Sequence, residues 1–159
     1  MPFNLDQALT ATRPVSVKYA GQTLTMQVFC CQMVPTELSK AFLADARADH
    51  MAARERARLE AVNFKALETY AAADAPSLKA ATAVLGKADA ASVDFGQREN
   101  QRRLRALARE LTESVKEWDA ARGDGSPFPV DAEAVYASWP WQLITEAHAA
   151  ATSALTEKE

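Results

Sequence analysis

Residues 15–28 alternate between apolar and polar side chains, and this pattern constrains the fold more than any other part of the chain. Two runs of three apolar residues flank the pair Gly21-Gln22. A period of two is typical of a strand with one buried face, and a pair with Gly first suits a type II′ turn. We therefore expect a β-hairpin over about 15–28. That turn predicts the pairs Tyr19 with Leu24, Val17 with Met26, and Val15 with Val28.

All six apolar side chains of this hairpin fall on one face. A lone hairpin is marginal in water, so the face must pack against something. The helices that follow are one candidate. A second copy of the chain is the other, which predicts possible self-association through the hairpin.

Beyond the hairpin, the composition favours helices. Alanine is abundant, whereas the chain has 5 Gly and 7 Pro among its 159 residues. Alanine loses the least entropy on entering a helix. The region 36–121 is therefore predicted to be helical. Its first part, 36–73, is either one long helix or two helices that meet near His50.

The rest of that region is predicted as two further helices. Ser77–Leu85 is a short one, capped by Ser77 and stopped at Gly86. Asp94 with Gln97 three residues later resembles a capping box, so a new helix should start there and run to about Ala121. Its apolar residues lie in one stripe at helical spacing: Leu104, Leu107, Leu111, Val115 and Trp118.

The segment 122–156 is read as a loop followed by C-terminal helices. Gly and Pro mark the loop, Asp131 caps a short helix to about Ala137, and Pro140 opens the last helix. With the hairpin segment at 14–29, the sequence predicts one domain over 1–159. The fold class is α+β, predominantly helical, with a hairpin followed by a bundle of four to five helices.

A search for chemistry finds no active site. Nucleotide-binding, nucleophile-elbow and zinc motifs are absent from the sequence. The adjacent Cys30 and Cys31 are interpreted as free thiols, and His50 and His148 are too far apart in sequence to indicate a metal site. We expect no catalytic residue, metal or cofactor. No apolar run is long enough to predict a membrane span.

Charge excludes a strongly basic protein, since the net charge is -3 and the pI near 5.5. Five arginines nevertheless outweigh two glutamates between Arg98 and Glu110. Four of them share a stripe, which would meet solvent, an acidic partner or a nucleic-acid backbone: Arg98, Arg102, Arg105 and Arg109.

All three tryptophans lie between positions 118 and 141. Trp118 is interpreted as part of a local aromatic core that holds the loop onto the helix. Trp139 and Trp141 are two residues apart, which in a helix separates them by about 200°. One of them is therefore a candidate for a contact surface, since Trp is enriched at binding hot spots.

The same stretch resembles the C-terminal part of tail assembly chaperones of long-tailed bacteriophages. The matching parts occur in the same order over about a third of the chain: Trp118-Asp119 at a helix end, the loop 123–127 with Gly125 and Pro127, the exit Pro129-Val130, a helix capped by Asp131, and a helix entered through Pro140. The hairpin followed by Pro35-Thr36-Glu37-Leu38 is also similar to the start of such proteins. The chain departs from them after Asp119, where Ala120-Ala121-Arg122 replaces the usual Leu-Thr-Asp.

The resemblance implies a non-enzymatic chaperone that binds the helical tape-measure protein and keeps it soluble until tail-tube subunits assemble around it. It also implies the host cytoplasm as location and absence from the mature virion. The alternatives are a tail completion or structural protein retained in the virion, and a small helical DNA-binding regulator that uses the arginine stripe. The residues expected to bind the partner are Trp139, Trp141, Ile144 and the four stripe arginines.

Overall fold

A computed structural model describes residues 4–30 and 36–156 of the chain. Its elements are α1 (Leu5–Thr10), β1 (Thr12–Tyr19), β2 (Gln22–Phe29), α2 (Thr36–Ala71), α3 (Leu78–Ser114), β3 (Val115–Trp118), α4 (Ala132–Ser138) and α5 (Trp141–Thr156). The predicted α+β, predominantly helical class is confirmed. Short helix α1, with Asn4 accepting a hydrogen bond from the Gln7 amide, was not predicted.

The chain divides into two compact units. Unit 1 comprises Met1–Pro35 and Arg103–Glu159, and unit 2 comprises Thr36–Arg102. Helix α3 contributes residues to both. Contacts alone do not say whether the units unfold together, so the single domain over 1–159 stays a prediction.

The hairpin forms, but its predicted turn and register are wrong. Ala20 and Gly21 occupy the turn with φ of 49° and 78°, and two positive values indicate type I′. Tyr19 pairs with Gln22, and Val17 pairs with Leu24. Starting the turn one residue earlier lets two eight-residue strands pair along their whole length. The shift is two residues, so the same side chains still share a face.

A third strand replaces the predicted end of the helix. We expected that helix to reach Ala121, but α3 ends at Ser114 and β3 pairs antiparallel with β2. The Ser114 hydroxyl donates to the Glu110 carbonyl oxygen at 2.8 Å, a bond that competes with the helical backbone. Pairing with β3 also satisfies backbone groups along the second edge of β2.

The core of unit 1 lies on the apolar face of this sheet. Strand residues meet α5 and the C-terminal end of α3 there, in a buried cluster: Val17, Met26, Val28, Leu111, Val115, Ala147, Ala151 and Ala154. The cover therefore comes from the end of the chain, and not from the helix that directly follows the hairpin. Full burial of a side chain such as Met26 contributes about 1.5–3 kcal/mol.

Unit 2 consists of α2 and the first part of α3. Helix α2 is continuous, so the two-helix alternative near His50 is wrong. Helix α3 runs through Gly86 and Asp94, so the predicted stop and the predicted cap are wrong too. A helical Gly costs about 1 kcal/mol relative to Ala, which a long Ala-rich helix tolerates. Asp94 instead forms an ion pair with Arg98 at 3.0 Å within the helix.

The connection between α2 and α3 is a reciprocal cap. The Ser77 amide donates to Asp74 Oδ1 at 3.1 Å, and the Asp74 amide donates to Ser77 Oγ at 3.1 Å. Asp74 is therefore the capping residue. Ser77, which we predicted as the cap, is the later residue of the box, whose side chain accepts from the Asp74 amide. Hydrogen bonds from Ser77 hold the pKa of Asp74 below its ordinary value.

Small residues bring α2 and α3 together as an antiparallel pair. The buried residues recur at intervals of seven: Ala52, Leu59 and Ala66 in α2, and Ala81 and Ala88 in α3. Asn63 Nδ2 donates to Ser92 Oγ at 2.7 Å, and Arg102 pairs with Asp49. Asp49, which precedes Asn63 in α2, thus meets Arg102, which follows Ser92 in α3, as antiparallel helices require. A heptad interval indicates coiled-coil packing.

The Asp131 cap predicted for α4 is confirmed, since Asp131 Oδ1 accepts from the Ala134 amide at 2.8 Å. The predicted start of the last helix at Pro140 is also confirmed. The Ile144 amide donates to the Pro140 carbonyl oxygen at 3.2 Å, so Pro140 opens the first turn of α5.

Replacing Met26 by Ala tests the core of unit 1. Met26 is 0% exposed, so we expect the free energy of unfolding to fall by about 2–5 kcal/mol. The matched control is Met51→Ala, because Met51 is 61% exposed and should change stability by less than about 0.5 kcal/mol. Urea denaturation followed by circular dichroism and tryptophan fluorescence measures both. Equal losses in the two variants would contradict this core.

Candidate interaction surfaces

Three aromatic side chains pack together beside the loop of unit 1. The ring centroids of Trp118 and Trp139 lie 4.8 Å apart, and those of Phe128 and Trp139 lie 5.8 Å apart. Trp118 Nε1 donates to the Phe128 carbonyl oxygen at 2.8 Å. One side chain therefore supplies both an apolar contact and a hydrogen bond that fixes the return of the loop.

The residues that follow β3 continue its antiparallel pairing with β2 into the loop. Asp119 donates its amide to the Thr25 carbonyl oxygen at 3.1 Å and accepts the Thr25 amide on Oδ1 at 2.8 Å. Farther along, the Phe128 amide donates to the Ala120 carbonyl oxygen at 2.8 Å. Asp119 thus extends the contact with β2 by a side chain.

The tip of the loop closes around Asp124. Its carboxylate accepts from the Ser126 amide and hydroxyl at 2.9 and 2.6 Å, and these bonds lower the pKa of Asp124. Gly125 has φ of 81°, a left-handed conformation that favours glycine. Pro127 pairs with Ala121 in an isolated bridge, and Pro129 is exposed in the extended exit. The signature residues therefore have local structural roles.

The three apolar residues expected to bind a partner have different surroundings. Trp141 is 60% exposed, so it is available for contact. Trp139 is half-buried against Trp118 and Phe128. Ile144 is 0% exposed and packs with Ala108 and Val135, so its assignment to a contact surface is wrong. In α5, Ile144 lies one turn beyond Trp141, and periodicity alone did not show which edge of their shared face is buried.

The four arginines do not form a uniform basic face. In unit 2, Arg98 pairs with Asp94, and Arg102 pairs with Glu99 at 3.0 Å and with Asp49. These hydrogen bonds raise the pKa of Arg102 above its ordinary value.

The other two arginines belong to unit 1. The Arg105 guanidinium lies 4.6 Å from the centroid of the Tyr136 ring, a cation–π contact, and Arg109 is half-buried. Much of the positive charge of the four arginines is therefore already engaged in contacts within the chain.

An open groove of about 540 Å³ lies beside the aromatic cluster in unit 1. Its apolar wall is formed by Tyr19, Leu24, Trp139 and Leu143, and Asp119 and Arg122 contribute opposite charges. Such a mixture suits contact with an amphipathic segment.

Other titratable groups of unit 1 lie away from this groove. His148 Nε2 is 2.7 Å from Glu110 Oε2, and burial raises the pKa of Glu113. None of these three residues lines the groove. Cys30 is an exposed free thiol, and Cys31 lies outside the described residues.

Within residues 4–30 and 36–156, His, Cys, Asp and Glu form no group of three that could hold a metal ion. The helices in those same ranges include none with both the length and the apolar character to cross a membrane.

Unit 2 presents an apolar surface that the sequence analysis missed. Among its described side chains, which begin at Lys40, ten large apolar ones are exposed: Phe42, Leu43, Met51, Val62, Phe64, Leu67, Tyr70, Leu78, Val84 and Val93. The signal that could have revealed the surface is their distribution around the helices, which is too broad for a single buried stripe.

Comparison with known proteins identifies no relative: no protein-family model, curated protein or solved structure matches the chain.

The contact between Trp118 and Phe128 can be tested by replacing Trp118 with Phe. This change keeps an aromatic ring but removes the donor to the Phe128 carbonyl, so we expect a loss of about 1–2 kcal/mol in the free energy of unfolding. The matched control is Trp141→Phe, whose exposed ring should tolerate the change with less than about 0.5 kcal/mol. Thermal and urea denaturation followed by circular dichroism measure both variants. A neutral Trp118→Phe variant would contradict the role assigned to this bond.

Proposed function

We propose that the chain is a non-enzymatic chaperone of bacteriophage tail assembly. It binds the long helical tape-measure protein in the host cytoplasm, keeps it soluble until tail-tube subunits surround it, and is absent from the mature virion. The observation that carries the proposal is the location of the large apolar side chains that are exposed among those the structure describes: ten lie in the two-helix unit and one, Trp141, in unit 1. The resemblance of residues 118–144 to tail assembly chaperones supplies the identity of the partner.

Exposed apolar side chains in such number favour a binding function. Transferring them out of water is favourable by about 25 cal/mol per Å² of apolar surface. Exposed apolar surface beyond scattered single residues marks binding sites in soluble proteins. A partner whose helices carry an apolar stripe can cover it, which is the helix-in-groove mode of recognition.

Four of these side chains border the line of contact between α2 and α3. Val62 and Tyr70 follow a buried α2 residue by three or four positions, and Leu78 and Val84 are each three positions from Ala81. Each is therefore displaced by about 40–60° from the buried row, Val62 and Val84 to one side and Tyr70 and Leu78 to the other. Their exposed fractions of 42–51% fit side chains that border a shallow groove on each side of the pair. A third helix laid along one side would complete the burial of Val62 and Val84.

Trp141 is the corresponding feature of unit 1. Its ring is exposed at the first turn of α5, and Trp is enriched among residues that dominate binding energy. It gives the chaperone a second apolar contact that does not depend on the two-helix unit.

The proposal predicts that co-expression with the tape-measure protein of the same gene cluster keeps that protein soluble. The double variant Val62→Gln with Val84→Gln should move most of it to the pellet, because polar groups would then face the bound helix. The matched control is Val93→Gln, since Val93 is exposed but lies on the outer side of α3. The measurement is the soluble fraction after centrifugation. A partner that stays soluble without the chain, or equally with the double variant, would contradict the proposal.

The same preparation distinguishes a chaperone from a structural protein. We expect mass spectrometry of purified virions to find tail-tube subunits but not this chain. Its presence at stoichiometric amounts would replace the chaperone with a tail completion or structural protein.

The DNA-binding regulator makes a different prediction. Arg98 and Arg102 are paired with carboxylates, and Arg105 stacks on Tyr136, which disfavours phosphate contacts. We expect no mobility shift of duplex DNA at low salt, where phosphate contacts are strongest. A shift that weakens steeply with salt, and that Arg105→Ala and Arg109→Ala abolish, would instead support the regulator.

A further inference from the structure

Helix α2 carries a second apolar row that faces away from α3. Positions five residues after the buried Ala52, Leu59 and Ala66 lie about 140° around the helix. Those positions and their equivalents toward the N-terminus form, with residues three positions later, a row that only Glu60 interrupts within the helix. We term its other members the outer stripe: Leu43, Ala46, His50, Ala53, Ala57, Phe64, Leu67 and Ala71.

Every member of the outer stripe is exposed. Leu43 and Phe64 are 61% and 65% exposed, which is unusual for large apolar side chains at regular spacing. The stripe repeats every seven residues over about four heptads, or about 40 Å of helix. A heptad row of this length is the signal by which one helix pairs with another. The inner row already has α3 as its partner, so the outer stripe needs a different one.

We propose that the outer stripe pairs two copies of this chain, α2 against α2, in antiparallel orientation about Ala57. This inference does not depend on the proposed chaperone function. A twofold axis at Ala57 places residues that are equally far before and after it opposite one another. Leu43 then meets Ala71, and His50 meets Phe64, while Ala57 meets its own copy. Leu43 and Phe64 thus face a small and a planar side chain. Leu67 has no small partner, because it lies level with Arg47 of the second copy.

The charges beside the stripe favour this orientation. Arg47 and Glu68 lie on the same border of the stripe, one near each end, and both are exposed. Antiparallel pairing brings Arg47 beside Glu68 of the second copy, whereas Arg54 and Glu60 lie on opposite borders and do not meet. Parallel pairing would instead place each arginine beside the same arginine. Exposed ion pairs add little affinity, but they select between orientations.

Arg56 and Arg58 each lie one residue from the axis and meet their own copies, Arg56 on the border opposite to Arg47. Glu55 pairs with Arg58 at 2.7 Å, so Arg56 opposes pairing more strongly. Its side chain is exposed, so water screens the repulsion. Replacing Arg56 by Ala should therefore strengthen an antiparallel dimer centred on Ala57.

The test is the mass of the purified full-length chain as a function of concentration, measured by sedimentation equilibrium. We expect a monomer–dimer equilibrium in which Phe64→Glu weakens dimer formation about 100-fold or more, because each dimer contains the substitution twice. The matched control is Val93→Glu, which changes an equally exposed side chain outside the stripe and should leave the dimer intact. Circular dichroism shows that both variants remain helical.

A charge exchange tests the orientation. Arg47→Glu alone should weaken the dimer, since it places two acidic groups together, and the double variant Arg47→Glu with Glu68→Arg should restore it. Only antiparallel pairing gives this rescue.

Three results would overturn the inference: a chain that stays monomeric at all concentrations, a dimer that Phe64→Glu does not weaken, or a charge exchange without rescue. A monomer whose outer stripe becomes protected only on adding the tape-measure protein would assign the stripe to that partner. Because the dimer is measured on the chain alone, its failure would leave the solubility test of the chaperone unaffected.

Discussion

Covering the apolar face of the three-stranded sheet is the requirement on which unit 1 depends. The hairpin has an apolar face that it cannot bury by itself. Helix α5, from the other end of the chain, packs over that face. Strand β3 belongs to the same solution, because it pairs with β2 and places Val115 in the cluster. Trp118 and Asp119 then anchor the loop that leads to α4 and α5. The stretch from 118 to 141 is thus first a structural connection, and only Trp141 is left as an exposed aromatic side chain.

Unit 2 packs differently from unit 1, because alanine dominates its buried row. Ala side chains bury little apolar area per residue. The larger side chains of the two helices are consequently left at the borders and on the outside. The chain alone does not bury these large side chains, and a partner helix would complete their packing.

Local patterns predicted the elements that depend on local physics. The alternation of residues 15–28 predicted the hairpin and its apolar face, and Asp131 and Pro140 predicted the starts of α4 and α5. Tertiary context decided the rest. The hairpin register depended on the length of the whole ladder, and the end of α3 depended on the edge of β2, which lies far away in sequence. A stripe that includes Val115 and Trp118 reads equally well as helix, because both states bury these side chains.

The candidate surfaces show the same division between local and tertiary information. Trp139 ends α4 in an extended conformation and Trp141 begins α5, so a separation of about 200° within one helix does not apply to this pair. Spacing also could not show that Ile144 is enclosed by Ala108 and Val135. The arginine stripe is visible in the sequence, whereas Asp49, which pairs with Arg102, lies on another helix.

Two apolar surfaces on one helix need not compete. The outer stripe lies about 140° from the buried row of α2, whereas Val62 and Tyr70 lie within about 60° of it. A second copy on the outer stripe would therefore leave the borders of the α2–α3 pair open to a different helix. Each surface alone is modest, and linking two copies places two such borders in one particle. A long partner with repeated helical stripes would then bind by several weak contacts at once, with the effective concentration of the second site raised by the first. Weak individual contacts also suit a chaperone, because growing tail-tube subunits can displace them one at a time.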